Sequence, residues 1–486
     1  MPVRRGTLGG SKGLGRVLVG KRHLARIGLA SAVLLTAACT APDRTEAGAW
    51  HRFELGLCED YPEETRSLTS ARADLQLAHD TGAAALRIAF GWDAMEPEPG
   101  QYDWSFWDAY VRLATEQYHI RLIPYVCYTP RWATADQGPD YWRSPPRNPE
   151  DFGRFVTVLV QRYRKWIHSW ELWNEPDNQA YWLGTPGQFA ALVRAGSRAV
   201  RQSDPRASIV LGGLAGKLDY LETLFRDEHL APAVDIVNFH SYFETWHPDP
   251  IEKLPREVAR AAQIVDTYGQ REPLWMAETG YSTVGPRPET SGVYRPWYDD
   301  EHTSDAQANA LVRTIVLAAG TARLSELAWY RINDLPPTNE VIGDDNNRHL
   351  GLLALDRRPK PAVEFFTRLA ALFRQPYRPV GVRLEAADAS APEAEVRAFE
   401  FADGRYALFA WLPMPGSAQP GQKITRDNRS RRIALRLRSE GQRIARVSGL
   451  FSRITQDVAL WQKGSDVRLS VQLTGSRVTA LELQAR

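Results

Sequence analysis

The feature that most constrains this chain is an alternation. Eight short apolar runs of strand length are separated by longer stretches in which apolar residues recur at helical spacing. The runs are FELGLC (53–58), AALRIAF (84–90), IRLIPYV (120–126), IHSWELW (167–173), SIVLGGL (208–214), VDIVNFH (234–240), PLWMAE (273–278) and ELAWYRI (326–332). Between them lie amphipathic segments such as DFGRFVTVLVQRYRKW and REVARAAQIVDTYG, the second closed by the helix-ending Gly269. SDAQANALVRTIVLAAG opens on Ser304 with Gln307 three residues on, which predicts a capping box. Strands alternating with helices define an α/β chain with a parallel sheet, and eight such units fit a (β/α)8 TIM barrel. An open doubly wound sheet would want a Gly-rich phosphate turn after an early strand, and no such spacing is present.

The texture changes after residue 374. EVRAFEF and RYALFAWL, joined by ADG, read as a hairpin turning at Asp403-Gly404, and RIALRL, VRLSVQL and RVTALEL follow. Residues 51–374 are therefore expected to form the barrel and 375–486 a small C-terminal β-sandwich. At the other end, seven basic side chains and no acid occupy the first 38 residues, so the rest carries about −5 against +2 for the whole chain. That mildly acidic body gives no reason to expect a nucleic acid partner. The basic leader runs into IGLASAVLLTAA and ends at Cys39, the pattern of a bacterial secretion signal over 1–38. LTAAC resembles a lipobox with Cys39 as the lipidated residue, and 39–50 reads as a polar tether. The expectation is an exported protein of the periplasm or cell envelope, touching the membrane only through that anchor. Cys58 and Cys127 fall on strands that are not neighbours, so free buried thiols are expected.

Catalytic side chains of a barrel emerge at the C-terminal ends of its strands. Two of the eight strands end in glutamate: the fourth runs into WNEPD and presents Glu175, and the seventh closes with MAETG and presents Glu278. Two carboxyls on one face are what glycosidic bond cleavage needs, one to protonate the leaving oxygen and one to meet the oxocarbenium-like carbon. Asn174 is placed to grip a sugar hydroxyl beside the reacting carbon, and Pro176 stiffens the strand exit. Sixteen tryptophans are more than a core needs, and many fall at strand ends or in the following loops, where flat apolar faces would stack on sugar rings. Trp92, Trp132, Trp142, Trp173, Trp182, Trp246 and Trp297 are such positions, while Trp166 and Trp275 read as core. No ligand spacing supports a metal, and no cofactor is implied.

WELWNEPD and WMAETG resemble the acid/base and nucleophile strands of the glycoside hydrolase superfamily that carries its catalytic carboxylates on barrel strands four and seven. SPPRNPEDFGRFVTVLVQRY and LGLLALDRRPKPA further resemble family 39, whose members include β-xylosidases and bacterial exopolysaccharide-degrading enzymes. Thr279-Gly280 departs from it, since many members have an aromatic directly after the nucleophile, so family 5 is the alternative. The resemblance implies Glu175 as acid/base, Glu278 as nucleophile and retention of configuration. It implies Arg87 as the cation holding the nucleophile ionised, His240 and Tyr242 beside nucleophile and sugar, and Trp329 as an aromatic floor under the cleaved sugar. The substrate is then a poly- or oligosaccharide, cut endo in a bacterial exopolysaccharide. The alternatives are an exo-acting β-xylosidase-like enzyme and a non-catalytic glycan-binding lipoprotein.

Overall fold

The computed structural model describes residues 49–485 apart from 61–66, 286–293, 338–343, 386–393, 420, 424, 440–443 and 452–457. Cys39 and the leader lie outside the described residues. Eight parallel strands form one sheet in the order β5-β4-β3-β2-β1-β8-β7-β6. They are β1 (Glu54–Glu59), β2 (Ala85–Gly91), β3 (Arg121–Cys127), β4 (Ser169–Asn174), β5 (Ser208–Gly213), β6 (Val237–Ser241), β7 (Leu274–Thr279) and β8 (Leu324–Tyr330). Parallel bridges Val210–Ile236 and Leu214–Phe239 join β5 to β6 and close the barrel. All eight sequence-expected strands are present.

Each strand is followed by a helix that covers the barrel's outside: α1 (Leu68–Thr81), α2 (Ser105–Arg112), α3 (Pro149–Tyr163), α4 (Pro186–Ser203), α5 (Leu218–Arg226), α6 (Leu254–Tyr268), α7 (Ser304–Gly320) and α8 (Pro361–Phe373). Their starts follow local chemistry. Asn148 caps α3 with Pro149 at the first helical position, and Thr185 with Gln188 forms a full capping box on α4. The expected box on α7 is corrected: Thr303, not Ser304, is the N-cap, its hydroxyl accepting from the Ala306 N–H at 3.2 Å. Gln307 is turned inward, its amide donating to the carbonyls of Tyr281, Leu350 and Gly351.

Period-two alternation sorts the strand residues. Outward side chains such as Phe90, Leu172, Leu327 and Trp329 join the large core between strands and helices. Inward ones stack in layers. At the base, Arg121 reaches Glu54 at 2.6 Å and Glu326 at 2.7 Å, beside an apolar layer of Ala85, Ile123, Val210, Ile236 and Trp275. Arg87 occupies the next layer, and tyrosines and carboxylates fill the top.

The C-terminal part forms two antiparallel sheets, β10-β13-β16-β15 and β14-β17-β12-β11-β9. They comprise β9 (Tyr377–Val380), β10 (Val382–Glu385), β11 (Glu395–Phe401), β12 (Arg405–Trp411), β13 (Ser430–Arg438), β14 (Ile444–Gly449), β15 (Val458–Lys463), β16 (Asp466–Thr474) and β17 (Thr479–Ala485). The β11–β12 hairpin turns at Asp403-Gly404, with Gly404 at φ +83°. Residues such as Leu408, Leu435, Leu469 and Leu481 make the apolar filling between the sheets. The sandwich packs on the barrel's helices: Phe451 stacks on Phe365 of α8 at 4.0 Å between ring centroids, and the Trp411 indole donates to Glu252 at 2.6 Å. Cys58 and Cys127 are free and buried. Among the described residues no helix is long and apolar enough to cross a membrane.

Candidate active site

Arg87 organises the barrel's mouth. It projects from β2 with no exposed surface, its Nε and Nη2 gripping the two oxygens of Glu171 on β4, both at 2.8 Å. Nη2 also donates to Asn174 Oδ1 at 2.7 Å, and Nη1 donates to Glu278 Oε2 at 2.9 Å. The guanidinium lies over the Tyr125 ring, 4.2 Å from its centroid. A planar fork of five N–H groups suits this sharing, which a lysine could not reproduce.

Glu171 and Asn174 both reach Arg87, yet they are three residues apart, and an unbroken strand would turn them to opposite faces. The backbone between them resolves this. Trp173 adopts φ +86° and Glu175 φ +44°, a region that a bulky L-residue enters only when its surroundings impose it. Trp173 is thereby turned away from the barrel axis, onto Trp182, Tyr128 and Phe152, and Asn174 takes the inward place. Asn174 Oδ1 faces Arg87, leaving the donor end of its amide pointing the other way. The Glu175 N–H is fixed by the Gly213 carbonyl at 2.8 Å.

Glu175 and Glu278 face one another. One carboxylate oxygen of each, together with a ring nitrogen of His240, all lie within 4.8 Å of one another. Glu278 Oε1 accepts from the Tyr242 hydroxyl at 2.6 Å while Oε2 accepts from Arg87. Glu175 Oε2 accepts from the Asn178 amide at 2.8 Å, and its Oε1 lies 2.9 Å from His240 Nδ1. His240 Nδ1 also stands 3.6 Å from Glu278 Oε2, so the ring bridges the pair. Its other edge packs on Gly213, where an added Cβ would fall 2.0 Å from Nε2. These three residues have the donor types of a cation site, but Glu278 already carries the Arg87 guanidinium, with which a divalent ion would have to share the carboxylate.

The two carboxyls differ in their surroundings. Burial pushes Glu175 up to about 7, against the pull of Asn178 and Arg87. Burial also raises Glu278, opposed by His240 and then Arg87. Glu278 has a guanidinium and a phenol donating to it, and Glu175 has only neutral partners; the pair's single negative charge therefore belongs on Glu278 and the proton on Glu175. Burial lowers the pKa of His240, against the opposing pull of Glu278.

The sequence missed four members of this site. Glu171 was within the quoted WELWNEPD and alternation alone places it inward. Tyr125 and Tyr330 alternate inward on β3 and β8, and Asp60 follows directly on β1. Trp329 requires a correction. It has no exposed surface and lies on the helix side of β8, so it is no floor for a sugar. Its neighbour Tyr330 faces the chamber instead, edge-on to Tyr242. Trp173 and Trp182 are likewise buried, in the aromatic core beneath the loops, as is Trp92. Trp132 keeps exposed surface, its indole N–H donating to the Glu96 carbonyl at 2.9 Å, and Trp142, Trp246 and Trp297 are also partly exposed. Trp275 is core as expected, whereas Trp166 is only half-buried.

A closed barrel with carboxylates emerging at β4 and β7 is the architecture of the glycoside hydrolases that carry their catalytic pair on those strands. The glycosyl hydrolase 42 family model, described as beta-galactosidase, matches residues 60–171, a stretch ending before either glutamate. No curated protein matches the chain at the sequence level. Solved structures match along most of its length. A family 39 glycoside hydrolase from Bacteroides cellulosilyticus WH2 aligns at TM-score 0.63 and 16% identity over 89% of this chain and 81% of its own. A GH30 endoxylanase from Clostridium papyrosolvens C71 aligns at 0.59 and 12%, covering 90% and 98%. A monomeric beta-xylosidase from Caulobacter crescentus CB15 aligns at 0.55 and 18%, covering 90% and 97%. At these identities the likeness is one of fold.

Proposed function

We propose that this protein is a retaining glycosidase cleaving β-linked bonds of a poly- or oligosaccharide, with Glu278 as nucleophile and Glu175 as acid/base. The observation that carries this is the approach of the two carboxylates within 4.8 Å, which suits a double displacement, where roughly 5 to 5.5 Å separates the carboxyl groups, rather than inversion at about 6.5 Å or more. In the first step a Glu278 oxygen bonds to the anomeric carbon, the bond to the leaving oxygen breaks, and that oxygen takes the Glu175 proton. In the second, Glu175 removes a proton from water, whose oxygen displaces Glu278 from the same carbon. Configuration is inverted twice and so retained.

The mode we favour is endo cleavage of a bacterial exopolysaccharide, with an exo-acting β-xylosidase-like enzyme as the second reading. Two surface grooves are present, neither of them lined by Glu175 or Glu278. One, of about 520 Å³, is lined by Trp132, Arg131, Arg147 and Glu98 from the loops after β2 and β3. The other, of about 730 Å³, is lined by Lys217, Tyr220, His247 and Arg256 among others, on the side of β5 and β6. The leader and Cys39 support an exported, lipid-anchored location, which radiolabelled palmitate incorporation and its loss in Cys39→Ala would test.

The catalytic assignment is tested with a 2-deoxy-2-fluoro glycoside of a responsive sugar. It should accumulate as an ester on the peptide containing Glu278, and Glu278→Gln should abolish both labelling and turnover. Labelling elsewhere, or hydrolysis surviving in Glu278→Gln, would overturn it.

A further inference from the structure

A fourth carboxylate, beside Glu171 and the catalytic pair, stands in the chamber, and the double displacement gives it no task. Asp60 follows directly on β1, and its two oxygens each accept from a tyrosine on a different strand: Oδ1 from Tyr125 at 2.8 Å and Oδ2 from Tyr330 at 2.6 Å. Tyr330 in turn accepts from Arg331 Nη1 at 3.2 Å, so its hydroxyl proton is committed to Asp60. The tyrosines are buried, at 1% and 3% exposure, whereas Asp60 keeps exposed surface.

Its place ties it to the reacting groups. The Tyr330 ring stands edge-on to Tyr242, the phenol that holds Glu278, at 6.4 Å between centroids, and Tyr125 carries Arg87 on its face. The negative charge of Asp60 raises both Glu175 and Glu278. Among the described residues, the side chains that donate to Asp60 are two phenols. Each oxygen takes one phenol proton from among these residues, which leaves it a second lone pair, so the carboxylate presents two acceptor positions at the chamber wall. A sugar hydroxyl is the donor that fits, and a sugar carboxylate there would meet like charge.

Resting on the glycosidase reading, we propose that Asp60 is a specificity-determining residue that accepts a hydrogen bond from one hydroxyl of the sugar whose anomeric carbon Glu278 attacks. That sugar is neutral at the contacted position; a uronic acid with its carboxylate there is refused.

The test is a cycle between one side chain and one hydroxyl. 4-Nitrophenyl β-glycosides of xylose, glucose, galactose and mannose identify a responsive sugar, and its monodeoxy analogues are then assayed with the wild-type protein and Asp60→Asn. Charge-assisted hydrogen bonds of this kind correspond to roughly a 10- to 100-fold effect. Asp60→Asn should lower kcat/KM by that factor on the parent glycoside. One deoxy analogue should show the same loss with the wild-type protein and little further loss with Asp60→Asn. Tyr125→Phe, which leaves the carboxylate in place, should keep the coupling to that hydroxyl. Losses that simply multiply for every analogue would overturn the proposal, as would unimpaired Asp60→Asn. Asp60→Ser replaces Asp60→Asn if the latter does not fold, and is read the same way. A wild-type protein that cleaves neither these glycosides nor any polysaccharide overturns the glycosidase reading itself, whereas cleavage without coupling overturns only the role of Asp60.

Discussion

At the scale of single residues, the site depends on backbone positions as much as on its acids. Gly213 is the sharpest case, because any Cβ there would collide with His240 Nε2 at 2.0 Å and crowd Asn238. Gly213→Ala should push the ring off Glu175, reducing turnover at least about tenfold while destabilising the fold by only about 1–3 kcal/mol, as measured by steady-state kinetics and denaturant unfolding. Glu175 sets a second prediction. It must be protonated to act as the acid, and burial places it at about 7, so kcat/KM should fall as pH rises through about 7. A pH–rate profile flat to pH 9 would contradict this. Strand-end position among apolar neighbours made both glutamates legible in the sequence, whereas Arg87, His240 and Tyr242 were expected only through the family resemblance. The positive φ of Trp173 was not legible, since nothing in the letters marks a tryptophan as leaving its strand's alternation.

Among elements, the periodicity that revealed the eight strands also explains the error on β8. Glu326, Ala328 and Tyr330 share the inward face, as the contact from Arg121 to Glu326 shows, and Trp329 must then face the helices. Judging that strand by the aromatic it carried, instead of by its alternation, moved the expected floor by one residue. The α7 cap moved by one residue for a similar reason, because Thr303 and Ser304 are both capable caps and only the backbone distinguishes them. Thr303→Ala should therefore lower stability by about 1 kcal/mol, and Ser304→Ala by much less, in urea melts. In the C-terminal sandwich the strongly alternating strands were readable. The short β9 and β10 and the strands β14 and β15 were not, because they lie at sheet edges where alternation is not enforced by burial on both sides.

Over the whole molecule, buried carboxyls outside the catalytic pair shape the response to pH. Burial raises Glu59, Asp93, Glu257 and Glu326 to about 7 and Glu301 to about 8. Such groups hold more protons folded than unfolded above their ordinary range near 4, so their contribution is present below it and is lost as pH rises through about 7 to 8. The melting temperature should accordingly be at least about 3 °C higher at pH 5 than at pH 8.5 by calorimetry, and the reverse order would refute the linkage. The sandwich is part of the same body: Phe365, Phe451 and Trp411 belong to the core that packs the barrel's helices. The central claim nevertheless rests on the two facing carboxylates, and the anomer of the first product tests it most directly. Proton NMR during cleavage of a responsive β-linked glycan should show the β-anomer first, with the α-anomer growing in only by mutarotation; an α-anomer released first would contradict a double displacement at Glu278.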